Sequence, residues 1–180
     1  WASMKKASPP RSYMVSGWML GWASAPYNPV WAERYPRRAA WMALAGPVAN
    51  LFLVLLGALI IRTGMIFNVF DAPARIQKLY EVTESVHDGA FKGVAVIVSI
   101  MFSLNLLLFV FNLIPLPPLD GSAIVPLFLN HEASQRYREF LRSPMVTTIG
   151  LVIAWQLFRP LFTPIHLLAL NLLYPGMGYH

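Results

Sequence analysis

Two stretches without a single charged side chain, residues 39–61 and 93–119, constrain this chain more than anything else in it. At about 1.5 Å of rise per helical residue, either is long enough to cross a hydrocarbon core roughly 30 Å thick. Backbone in lipid must satisfy its own hydrogen bonds, so both stretches are expected to be helices. With 57% hydrophobic and 12% charged residues and a mean hydropathy of +0.53, the chain is too apolar to cover itself as a soluble domain. The expected fold class is therefore an all-α integral membrane protein, a single membrane domain over 1–180. It would be a bundle of about three transmembrane helices, with interfacial segments and a re-entrant piece as an option after residue 143.

Net charge is +6, but the basic residues flank apolar runs and form no polar stripe with interleaved aromatics, which argues against nucleic acid as a partner. Membrane lipids are the expected partner. Residues 1–38 are rich in Trp, Pro and basic groups. Trp18, Trp22, Tyr27, Trp31 and Tyr35 beside Arg34, Arg37 and Arg38 fit either an interfacial segment at headgroup depth or an aromatic-rich loop. The first residue is Trp1, without a signal pattern, which reads as an incomplete or processed N-terminus.

The first span, 39–61, contains Pro47, expected to kink the helix or to mark a start one turn later. Ala45, Gly46 and Ala49 leave backbone bare for a neighbouring helix, and Asn50 needs a partner in lipid. In the polar loop 62–92, Ile76, Leu79, Tyr80, Val82 and Val86 follow helical spacing, so a short amphipathic surface helix is expected. In the second span, Ser99 and Ser103, like Asn105 and Asn112, stack along one side and should face protein. A loop covers 120–142. Residues 143–174 suit one kinked span or, preferably, a third span followed by a shorter embedded segment. The basic excess of the N-terminal flank over the charge-balanced 62–92 loop places that flank and the 120–142 loop in the cytoplasm.

The second span ends in Asn112-Leu113-Ile114-Pro115-Leu116-Pro117-Pro118-Leu119-Asp120-Gly121. Three prolines forbid regular helix there, and broken backbone at membrane depth is tolerated only against protein or a wet cavity. A carboxylate in that setting, Asp120, calls for a cation, a wet cavity or a metal. Its plainer explanation is an ion pair with an arginine such as Arg142, or an interfacial carboxylate. There is no cysteine, so any metal must be held by His, Asp, Glu, carbonyls or water.

Together with Ala45-Gly46-Pro47-Val48-Ala49-Asn50 and Gly21-Trp22-Ala23-Ser24-Ala25-Pro26-Tyr27-Asn28-Pro29, this motif resembles the site-2 protease family of intramembrane zinc metalloproteases, in its compact prokaryotic branch. The resemblance runs from about Gly17 to Gly121. It implies peptide-bond hydrolysis within the membrane, a transmembrane protein substrate and a prokaryotic inner-membrane location. It also implies Zn2+ held by two histidines of a His-Glu-x-x-His helix and by Asp120. Such a set leaves one tetrahedral position for water, with the motif's glutamate as general base. Asn112 would contact substrate or the developing oxyanion, or alternatively bond to Asn105 or Asn50. Pro115 and Pro117 would shape the unwound stretch that aims Asp120, with Gly46, Pro47, Asn50, Asn105 and Gly121 as structural or substrate-path positions.

The sequence departs from the family in one respect: it holds no His-Glu-x-x-His. His131-Glu132-Ala133-Ser134-Gln135 begins the pattern but has Gln135 at the second histidine position, and His87, His166 and His180 lack partners at the needed spacing. The catalytic helix is expected upstream of Trp1. The alternative is a catalytically inactive relative, a structural subunit among neighbouring membrane subunits. A transporter fragment is the weakest option, since no paired interrupted segment suggests an inverted repeat.

Overall fold

The computed structural model describes residues 34–76, 78–141 and 143–180. The Gly21–Pro29 region, most of the expected interfacial segment, and the side chains of His131 and Arg142 lie outside that description. Among the described residues, three helices are long and apolar enough to cross a membrane: α1 (Pro36–Ile66), α2 (Ala90–Leu113) and α5 (Pro144–Leu173). The protein is an integral membrane helical bundle. Between α2 and α5 lie the short α3 (Asp120–Ile124), a 3-10 turn (Val125–Leu127) and α4 (His131–Leu141).

Helix α1 starts at Pro36, where a missing N–H is no loss, and is continuous through Pro47, so the later start is not adopted. Pro47 is buried, and with Ala40, Val54 and Ile61 it forms a seven-residue repeat along one side, with Gly57 between. That side meets the buried face of α2, made of Ala95, Val98, Ser99, Phe102, Ser103, Leu106 and Val110. The two helices come close at Gly57, where an added Cβ would lie 3.3 Å from Phe102 Cβ. The sequence reading passed over this glycine; Ala45, Gly46 and Ala49 are exposed to solvent or lipid over much of their surface.

No described residue between α1 and α2 is helical, which corrects the expected amphipathic helix in 62–92. Instead β1 (Phe70–Asp71) pairs antiparallel with β2 (Glu84–Ser85). Pro73 cannot sit in a helix interior, and the backbone here finds other partners. Thr83 N donates to Ser99 Oγ at 3.0 Å, Thr83 Oγ1 to Asp71 O at 3.0 Å, and Tyr174 Oη to Val82 O at 2.9 Å. Val82 is fully buried in the main core with Ile61, Phe102, Leu170 and Tyr174. The periodicity of Ile76, Leu79 and Val82 therefore reflected no helix.

Residues 144–173 form one helix, which corrects the expected span plus separate embedded segment. Pro160 and Pro164 are four apart and both exposed, so their missing N–H groups fall on the lipid side. The opposite side stays intact and carries an aromatic ladder. Phe111 of α2 meets Phe158 edge-on at 5.4 Å, and Phe158, Phe162 and His166 stack at 5.2 Å intervals. Helix α4, read from sequence as loop, is capped by Asn130, whose Oδ1 accepts from Ala133 N at 2.8 Å.

Replacing Gly57 with Leu should wedge α1 from α2 and lower stability by about 1–3 kcal/mol. Gly93, with open space around its Cα, should accept Ala with no loss. Thermal unfolding of both variants in detergent checks the contrast.

Candidate metal centre

Helix α2 stops at Leu113 because Ile114 precedes a proline and is forced extended (φ −61°, ψ 125°). The chain then runs through tight turns: Leu116 N donates to Ile114 O at 2.8 Å and Leu119 N to Leu116 O at 3.0 Å. The Pro117–Pro118 peptide is cis. Ile114, Pro117 and Leu119 are buried while Pro115 and Pro118 are exposed, so the break is packed on protein along one side. Ile114 and Leu119 share a small core with Ala154 of α5.

Two glycines make this packing possible. Gly121 sits so close to the end of α2 that a Cβ would meet Leu113 O at 2.6 Å and run into Ile114 O. On α5, a Cβ at Gly150 would meet Pro117 Cγ at 2.9 Å and the Pro117 carbonyl. Ser122 adds a bond from its Oγ to Leu119 O at 2.8 Å. Gly150 and Ser122 were missed from sequence. A glycine amid large apolar residues was the available signal for Gly150.

The result is that Asp120 opens α3 with its carboxylate turned to α1, where a Cβ on Gly46 would lie 3.1 Å from Oδ2. Asp120 is half-buried, and burial pushes its carboxyl above the usual carboxylate range. No described donor or cation faces it; the ion pairs Lys78–Glu81, Lys92–Asp88 and Arg136–Glu132 lie elsewhere. A partly desolvated carboxylate without a compensating group suits a metal ligand. The described residues alone do not complete a site, since no group of three or more His, Asp or Glu side chains among them is placed to hold a metal.

The other sequence candidates are spread around this point. Pro47 is buried in α1, and Asn50 is half-buried one turn past Gly46. Asn112 lies half-buried in the last turn of α2, and neither it nor Asn50 makes a hydrogen bond among the described residues. Asn105 donates to Met101 O of its own helix at 2.7 Å rather than bridging helices. Pro115 and Gly121 line a cleft of about 880 Å³ with Arg37, Trp41 and Phe128. Of the histidines, His166 Nε2 is buried with no hydrogen-bond partner among the described residues, and His180 Nδ1 lies 2.9 Å from Gly178 O.

Comparison with known proteins establishes the family. Residues 4–157 match the model of Peptidase family M50, and the chain belongs to that family, the site-2 proteases. Over 113 residues it is 32% identical to a Bacillus subtilis (strain 168) protein named "Putative zinc metalloprotease YwhC". The match covers 62% of this chain and 44% of that protein, so the chain spans less than half the length of its relative. No solved structure matches significantly.

Two outcomes follow from the geometry. Gly121→Ala should displace α3 and cost on the order of 1–3 kcal/mol, read as a lowered unfolding temperature. For Asp120, the raised carboxyl means that the metal-free fold binds its proton more tightly than the unfolded chain does. Stability should therefore fall as pH rises from the ordinary carboxylate range through the raised value, and stay lowered above it. Asp120→Asn should remove that part of the pH dependence, checked by metal-free unfolding at a series of pH values.

Proposed function

We propose that this chain is part of an intramembrane zinc metalloprotease, in which Asp120 is one zinc ligand. The two imidazoles and the glutamate base are supplied from outside these 180 residues. The observation that carries this reading is the uncompensated Asp120 carboxylate held against Gly46. Beside it, Ala45, Gly46 and Ala49 form an exposed small-residue face on α1, suited to close approach of a further helix. With Asp120 as one of its ligands, a bound zinc ion would supply Lewis acidity where bulk water is scarce.

Around that centre, this chain's residues position and exclude. Pro115, Pro117 and Gly121 fix the break that aims Asp120, and Asn112 is left free to donate to a substrate carbonyl. The 880 Å³ cleft gives an unwound stretch of a membrane-anchored protein substrate a route to the break. Arg34 precedes α1, Arg37 and Arg38 lie in its first turn, and the cleft joins Arg37 to α3, so the basic flank and the break share one end of the bundle. By the positive-inside rule that end is cytoplasmic, in the inner membrane of a prokaryote.

The test uses the intact protein. With Asp120→Ala, zinc measured by elemental analysis should drop from stoichiometric to background. Cleavage of a membrane-anchored reporter should fall by more than the roughly 10–100-fold that outer-shell partners cost. Zinc and activity that survive the change rule out Asp120 as ligand. An unchanged protein without zinc favours the structural-subunit alternative.

A further inference from the structure

Further along α1 than Gly46, a groove of about 480 Å³ runs between α1, α2 and the end of α5. Its lining is apolar, including Leu51, Leu55, Phe102 and Leu106, except for Arg62. From Leu51 to Arg62 the helix rises about 16 Å. That is close to one leaflet of a core roughly 30 Å thick.

The Arg62 end lies at the interface. One turn later α1 finishes, the β1–β2 pair follows, and α5 ends at Leu173 beside it. The exposed guanidinium donates to Leu173 O at 3.2 Å, and no described carboxylate pairs with it. Arginine carries five donors in a planar fork that matches phosphate oxygens, so most remain for a ligand. A helix about 10 Å across over that length would fill on the order of 1,200 Å³, well beyond this groove. An acyl chain fits better.

We propose that the groove binds one anionic phospholipid, with its phosphate on Arg62 and an acyl chain along α1 towards Leu51. Anionic lipid is favoured because a zwitterionic headgroup would bring a second cation to Arg62. The site is independent of the metal centre and does not rest on the proteolytic reading.

The full chain is reconstituted in nanodiscs of equal phosphatidylglycerol and phosphatidylcholine and released for native mass spectrometry. One phosphatidylglycerol should be retained, preferred about tenfold or more, as expected for a charge-assisted bidentate contact. Arg62→Gln should abolish the preference. Ala58→Phe, which fills the groove but keeps Arg62 and its bond to Leu173, should lose the lipid, and Lys92→Gln should keep it. Equal retention of the two lipids by the unchanged chain overturns the proposal, as does full retention in Ala58→Phe. These two results decide the matter even if Arg62→Gln does not fold.

Discussion

The hydrogen atom that serves as the side chain of Gly121 lets the start of α3 rest directly on the terminal carbonyls of α2. Any larger side chain meets Leu113 O and Ile114 O, and those atoms belong to backbone that cannot rotate aside. The contact turns the chain immediately after the proline break, so Asp120 is carried back to α1 rather than out along the axis of α2. Pro117 secures the same turn from the other side by lodging against Gly150 of α5. The position of one carboxylate thus follows from two backbone contacts that only glycine allows.

The same logic recurs across the bundle. Lipid gives apolar helices little reason to leave it, so their association relies on close packing and on polar groups that find partners. Gly57 lets Phe102 reach the α1 backbone, while Ser99 and Tyr174 bond to the β1–β2 segment. These contacts join α1, α2 and the end of α5 around one core. Helix α5 otherwise presents most of its surface outward, and its two interior prolines, Pro160 and Pro164, lie on that outward side.

Asp120 and Arg62 illustrate two ways in which charge persists next to apolar surface. Asp120 is partly desolvated, and no described group compensates it. Arg62 is exposed at a helix end, over a groove of one-leaflet length, which fits a lipid phosphate. The two lie on different parts of α1, so the helix serves the break and the lipid-facing surface at once.

The uncharged runs 39–61 and 93–119 made two membrane helices legible from sequence, because the absence of water leaves backbone few alternatives. The NLIPLPPLDG segment made the break and Asp120 legible, because proline acts locally on its own and its neighbour's dihedrals. Helical periodicity in 62–92 misled, since Val82 and Thr83 are governed by Tyr174 and Ser99 from distant helices rather than by their own neighbours. Continuity of α5 past Pro160 and Pro164 was equally hidden, because it rests on which face meets Phe111. Sequence determined the spans, the break and the acid; only the tertiary fold decided that the acid meets Gly46. That meeting is made by contacts between segments far apart in the chain, and no local dihedral preference encodes them.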